Sequence, residues 1–264
     1  MVVFHLLARI LFPIPDDDFD PTEVAAPWWV LRERGHEIAF ATESGRAGRA
    51  DPRVLNGVIF GQLGAEPDAC ALYAKLEKDP AFEKPLSWKE LSADDYDALF
   101  LAGGHAPGMR PYLESSEVQR VALALWRAER PVAAICHGTI VLARTRDADG
   151  RSVLSGRHST CLPKYMERIA YYATAWKLGR YYRTYPAYVE DEVRDALGPS
   201  GVFERGPITL FSRGSAQDDG PAFCVEDGAY LSARWPGDAF AIAKRFSDKI
   251  VARNSERARP ELRA

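Results

Sequence analysis

Residues 131–138, Pro-Val-Ala-Ala-Ile-Cys-His-Gly, constrain this chain more than any other stretch. A short apolar run from Pro131 to Ile135 stops at Cys136, and a helix-forming apolar stretch, 139–143, follows at once. The pattern reads as a buried strand, a sharp turn that Gly138 allows to be tight, and a helix. Such a turn lifts one side chain out of the sheet beside a helix N-terminus. Partial positive charge and free N–H groups there favour a thiolate, so Cys136 is expected to be a reactive thiol pointing at solvent.

The rest of the chain supplies the sheet that this unit needs. Residues 2–8 are mostly apolar and read as a first strand rather than a signal peptide. Asp20 or Thr22 can cap a helix that runs to about Arg34, Gly35 ends it, and residues 37–42 form the next strand. Strand, helix, glycine and strand in that order make a βαβ unit, whose crossover implies parallel strands. A third strand over 98–102 breaks at Gly103-Gly104-His105, and an amphipathic helix over 115–129 leads to Pro131. Residues 43–65 read as a long surface loop, 66–78 as a helix, 79–90 as an extended connection and 152–160 as a short β element. Strands are expected over 208–212 and 222–226, a hairpin turn at Asp227-Gly228 before Tyr230, and a last helix over 238–252. The aromatic stretch 161–206 carries Tyr165, Tyr171, Tyr172, Tyr181, Tyr182, Tyr185, Tyr188 and Trp176. It reads as two or three helices forming a cap or partner surface, the plainest role of its aromatics being the core of those helices. The whole, 1–264, is expected to be one α/β domain with a helical insertion at about 161–206.

Bulk properties exclude several classes of function. A net charge of −3 gives no general attraction to nucleic acid or to anionic membranes. No apolar run approaches the ~20 residues of a membrane span. Cys70, Cys136, Cys161 and Cys224 are widely spaced with no Cys-x-x-Cys pair, which suggests neither a disulfide framework nor zinc and points to a reducing cytoplasm. No Gly-x-Gly-x-x-Gly opens a helix after the first strand and no metal-ligand spacing is evident, so no cofactor and no metal are expected.

Four further features can surround Cys136. Ligands of an open α/β sheet bind at the C-terminal ends of parallel strands, which is where Gly103 and Gly104 fall. If that strand neighbours the Cys136 strand, the Gly104 and His137 N–H groups can form an oxyanion hole. His105 can line the same pocket. Glu23, early in the first helix, opens at the same edge and can hydrogen-bond the sulfur, as donor when protonated or as base when ionised. Strand–turn–helix mechanics of this kind present the serine of hydrolases in the nucleophile elbow.

Leu99-Phe-Leu-Ala-Gly-Gly-His105, Ala134-Ile-Cys-His-Gly138 and Glu23-Val-Ala-Ala-Pro27 together resemble the ThiJ/PfpI superfamily of class I glutamine-amidotransferase-like proteins. The resemblance covers most of the chain and implies a flavodoxin-like three-layer sandwich with a mostly parallel central sheet. Length and the longer C-terminal half are similar to the glyoxalase III and heat-shock chaperone-type branch. The resemblance then implies a Cys136–His137–acid triad, and it carries the acid to Glu167, 31 positions beyond the cysteine (167 − 136 = 31). Glu190, Asp191 or an unpaired His137 are the alternatives. What the resemblance implies is attack of the Cys136 thiolate on a small reactive carbonyl such as methylglyoxal, Glu23 shuttling a proton, to give lactate. A non-catalytic redox-sensing or holdase protein, and an amidase- or peptidase-like hydrolase, stand as alternatives. A small-molecule substrate and a second copy of the chain are the expected partners.

Overall fold

A computed structural model describes residues 7–58, 64–209 and 212–261. Its centre is a sheet of seven strands: β1 Arg9–Pro13, β2 Glu37–Thr42, β3 Leu86–Ser87, β4 Ala98–Leu101, β5 Val132–Ile135, β6 Cys224–Asp227 and β7 Tyr230–Ala233. They lie in the order β6-β7-β5-β4-β1-β2-β3. Every neighbouring pair is parallel except the β6–β7 hairpin at one edge. This is the mostly parallel α/β sheet expected of the chain.

The central strands β4 and β5, and β7 beside them, are buried at every residue. Ile10, Leu11 and Phe12 of β1 are fully buried, and Phe12 stacks on Phe100 of β4 with ring centroids 4.7 Å apart. A strand covered on both sides reads as an unbroken apolar run, which is why β4 and β5 were legible. Helices supply the cover in two groups. Helix α1, Pro21–Glu33, packs against α2, Pro67–Leu76, and against the C-terminal helix, here α7, Ala239–Glu261. Helices α3, Ser116–Arg127, and α4, Thr139–Arg144, pack together, and α4 also meets α6, Val189–Leu197. Between α4 and α6 in the chain lies α5, Lys164–Leu178.

From β1 the chain crosses to β2 on one side and later to β4 on the other. The strand order therefore reverses beside β1, and a crevice opens at the C-terminal ends of β1, β4 and β5. Glu23, Gly103 and Cys136 follow those three strand ends.

Several expectations need correction. Of the strand expected over 2–8, residues 2–6 lie outside the described residues, and Leu7 and Ala8 precede the first described strand at Arg9. Residues 210 and 211 of the strand expected over 208–212 also lie outside them, and 208, 209 and 212 are irregular. The loop read over 43–65 contains β-strand Arg49–Ala50, paired with Asp17–Phe19, and a helical turn at Pro52–Asn56. The connection read over 79–90 carries a short helix, Pro80–Glu83, and the edge strand β3. Of the aromatics on α5, Tyr172 and Trp176 are 63% and 73% exposed, so they are not core. Tyr182, in the irregular strap after α5, is buried.

Candidate active site

Cys136 sits at φ +57°, a left-handed conformation that a residue with a Cβ rarely adopts. It is the strained residue of the turn, at a cost of about 1–3 kcal/mol. Gly138 has an ordinary helical φ of −55°. Its role is space: a Cβ there would stand 2.2 Å from the Leu101 carbonyl oxygen. Gly103 is wedged in the same way, its missing Cβ lying 2.6 Å from Glu23 Oε2, 2.8 Å from His137 N and 2.9 Å from Cys136 Cβ. The absence of a side chain at Gly103 lets three elements meet at one point.

The sulfur is not held out to solvent. Cys136 is 2% exposed, and burial, with Glu23 and Asp20 nearby, pushes its thiol well above the ordinary range. The resting group is a thiol, contrary to the exposed thiolate expected from a helix N-terminus. The helix that follows is only six residues long, and desolvation outweighs its dipole.

Glu23 is fully buried. Burial and the Asp20 charge raise its carboxyl well above the usual range, so it keeps its proton. Its Oε2 accepts from the Gly103 N–H at 2.9 Å, and the carboxyl also contacts the Cys136 sulfur. The Asp20 side chain caps α1, accepting from the N–H groups of Thr22 and Glu23 at 2.8 and 3.2 Å.

His137 is fully buried and stays neutral, its pKa driven well below the usual value by burial and then by His105, Arg144 and Arg183. Its Nδ1 lies 3.5 Å from Cys136 Sγ and its Nε2 3.2 Å from Thr184 Oγ1. The Thr184 hydroxyl donates to the His105 carbonyl oxygen at 2.7 Å. A hydroxyl has one proton, so toward His137 it can only accept. Nε2 therefore carries the ring proton, and the Nδ1 lone pair faces the thiol.

Glu167 does not reach the imidazole. Its carboxylate takes a hydrogen bond from Arg183 at 3.1 Å and one from the Val189 N–H at 3.0 Å. Glu190 is bound by Arg194 and Arg205, and Asp191 by Lys164. Among the described residues, the hydrogen-bond partner of His137 Nε2 is the hydroxyl of Thr184. Glu167 lines the same pocket, and burial lifts its carboxyl to about 7 against the pull of the Val189 N–H and Arg183. His105 is also at the pocket, its ring edge-on to Tyr182 at 4.3 Å and held neutral by burial, with a pKa of about 4. Gly104 follows at φ +148° and lines the pocket. The pocket has a volume of about 200 Å3, with Leu162, Met166 and Ala170 along its apolar side.

Sequence reasoning missed Thr184, Tyr182, Arg213 and Trp235, all of which stand at the imidazole or in the pocket wall. They come from three separate loops, and no local pattern marks them.

The Asp20 carboxyl ties the site to the pH dependence of folding. Burial raises it from 3.8 to about 6. The folded state thus binds this proton more tightly than the unfolded chain, and the associated stability is intact below 3.8 and lost as pH rises through about 6. Asp20→Asn keeps a cap but cannot ionise. Its stability relative to wild type is expected to improve by up to about 3 kcal/mol between roughly pH 4 and pH 7. Urea midpoints at the two pH values measure this; an unchanged difference would mean that Asp20 does not titrate with folding.

Among the described residues no cluster of His, Cys, Asp or Glu could hold a metal ion, and no helix is long and apolar enough to cross a membrane. Residues 14–207 match the family described as ThiJ/PfpI family-like. A Pyrococcus abyssi protein named as a deglycase is 30% identical over 230 residues, 87% of this chain and 92% of its own length. Glyoxalase 3 of Candida albicans is 26% identical over 195 residues, 71% of this chain and 77% of its own. A crystal structure of glyoxalase III from Candida albicans shares the fold with a TM-score of 0.67 at 21% identity, covering 93% of this chain and 98% of that one. A parallel sheet ending in a strained cysteine, faced by a protonated glutamate, and a match over most of its length place this chain in the ThiJ/PfpI family.

Proposed function

We propose that the protein converts small 2-oxoaldehydes, of which methylglyoxal is the simplest, to 2-hydroxy acids through a covalent bond to Cys136. The observation that carries this reading is the meeting of a neutral imidazole and a protonated carboxyl on one buried sulfur. The relatives named for glyoxalase and deglycase activities support it.

The proton inventory closes without an external oxidant. His137 Nδ1 takes the thiol proton as the sulfur adds to the aldehyde carbon, and Glu23 protonates the aldehyde oxygen to complete a hemithioacetal. The Gly104 and His137 N–H groups hold that oxygen as its charge develops. Glu23, now a carboxylate, removes the hydrogen on the former aldehyde carbon. The electron pair left behind forms an enediol, and His137 returns its proton to the ketone oxygen. Glu23 gives the proton it removed to the second carbon and takes up the proton of the first hydroxyl, which leaves a 2-hydroxyacyl thioester and Glu23 protonated again. Water cleaves it to the acid and regenerates the thiol. One carbon is oxidised and its neighbour reduced, and the net change is addition of water.

Incubating the protein with methylglyoxal and following lactate by proton NMR tests the reading. Lactate from methylglyoxal and glycolate from glyoxal are expected above the buffer rate, and the absence of both would refute it.

Thr184 is a positioning residue in this scheme because it holds His137 in the tautomer whose Nδ1 can accept. Thr184→Val is expected to lower kcat about 10- to 100-fold with KM little changed. Thr184→Ser, which keeps the hydroxyl, is expected to recover most of the rate. A Thr184→Val enzyme as fast as wild type would show that the hydroxyl plays no part in positioning the ring.

A further inference from the structure

Helix α5 presents two faces. At about 100° of turn per residue, Met166, Glu167, Ala170 and Thr174 share one arc, and all four line the Cys136 pocket. Arg168, Tyr172, Trp176 and Ile169 share another arc of about 100°, and all four are exposed. Among the described residues eight large apolar side chains are exposed, and three of them stand on this one stripe. A fourth, Ile208, lies beside its start, because Tyr165 Oη hydrogen-bonds the backbone of Thr209. Single exposed apolar residues are ordinary, but a contiguous group of them marks a contact surface.

The stripe is basic as well as aromatic. Arg168 stands at one end, its guanidinium 5.9 Å from the centre of the Tyr172 ring, and the exposed Arg180 follows the C-cap Gly179 at the other. Neither arginine makes an ion pair among the described residues. Lys177 is exposed beside Trp176 and donates to the Val58 carbonyl at 2.9 Å. Between Lys164 and Arg180 the one acidic residue is Glu167, which is buried and paired with Arg183. The net charge of −3 does not cancel this patch, because at physiological salt a surface charge is felt over only about 8–10 Å.

These features select one kind of partner. In a two-fold contact between copies the stripe would meet itself, with arginines facing arginines and no carboxylate on either side. A folded protein partner needs about 800 Å2 and 20–30 residues on each side, far more than a convex row of four or five side chains. A lipid surface needs only that the apolar side chains dip into the headgroup region while the cations stay among the phosphates. Tryptophan and tyrosine favour that depth, and each nearby arginine or lysine strengthens the attraction to anionic lipid about fivefold.

We propose that this face of α5 docks the protein reversibly on membrane surfaces rich in anionic phospholipid. Trp176, Tyr172 and Ile169 enter the headgroup layer, and Arg168, Lys177 and Arg180 pair with lipid phosphates. Ile169 also lines the Cys136 pocket, so docking by this stripe holds the rim of the pocket at the bilayer surface. Docking of this kind does not depend on what reacts at the sulfur.

Co-sedimentation of the full chain with vesicles of phosphatidylcholine, and with vesicles of equal parts phosphatidylcholine and phosphatidylserine, tests this. Partition onto the mixed vesicles is expected to exceed that onto phosphatidylcholine by at least about tenfold, and to fall as salt rises from roughly 0.05 to 0.5 M. Trp176→Ala is expected to weaken partition about tenfold, and Arg168→Glu combined with Arg180→Glu to abolish it. All three side chains are exposed, so unchanged thermal midpoints are expected and show that the fold is intact. Equal partition onto the two kinds of vesicle, partition onto neither, or partition that survives both variants would overturn the proposal. So would a light-scattering mass of a dimer that Trp176→Ala turns into a monomer, since a second copy would then cover the stripe.

Discussion

Cys136→Ala protein is expected to lose 2-oxoaldehyde turnover by about 10³-fold or more while keeping its fold. The loss follows from the geometry. His137 Nδ1 and the Glu23 carboxyl both address the Cys136 sulfur. Without it no covalent bond forms, and the two proton carriers have nothing to activate. The fold should survive because alanine occupies the same left-handed φ at similar cost and a thiol is a small apolar group in this setting. Cys224→Ala, on the edge strand of the sheet, is the matched control. Lactate production and circular dichroism on the two variants separate a chemical role from a structural one. Substantial turnover by Cys136→Ala would sink covalent catalysis here, whatever the family resemblance.

The largest expected effect on stability lies behind the pocket, at Arg234 and Asp238. Both side chains are completely buried, and Arg234 Nε donates to Asp238 Oδ2 at 2.9 Å and its Nη2 to Oδ1 at 3.0 Å. The guanidinium also donates to the Pro207 carbonyl at 2.7 Å, and Asp238 Oδ1 accepts from the Phe223 N–H at 2.9 Å. The pair thus ties two loops to the end of β7, next to Trp235 in the pocket wall. Asp238→Ala strands a buried cation, and the expected loss is about 3–5 kcal/mol. A double change, Arg234→Met with Asp238→Leu, is expected to recover part of that loss, because removing both charges removes the desolvation cost along with the attraction. Urea unfolding of the three proteins measures this. A single variant as stable as wild type would show that water or another anion replaces Asp238.

The parts of this site that were legible in the sequence are those written by one chain segment. Ile135-Cys136-His137-Gly138 announced a strand end and a turn because burial on both faces makes a strand an uninterrupted apolar run. Gly103-Gly104 announced a second strand end in the same way, and Asp20 announced the start of α1. The β6–β7 hairpin was legible from Asp227-Gly228, although the turn itself falls one residue later, with Asp227 paired to Tyr230 and Gly228 at φ +63°.

The triad acid was not legible, and the reason is physical. Which group meets His137 Nε2 depends on how the strap after α5 returns over the sheet. Arg183 in that strap draws Glu167 to itself, and Arg110 fixes the Thr184 carbonyl at 2.8 Å, which leaves the Thr184 hydroxyl against the imidazole. A carboxylate at the expected spacing was therefore present in the right helix and engaged elsewhere.

Segment chemistry alone determined the parallel α/β sheet, the elbow at Cys136 and the cap that starts α1 beside Glu23, since strand burial, capping and turn geometry are local properties. Tertiary structure alone decided the ionisation state of the sulfur and the partner of His137. Desolvation and hydrogen-bond saturation depend on everything that packs around a group, and at Cys136 that surrounding turned a predicted exposed thiolate into a buried thiol awaiting a base.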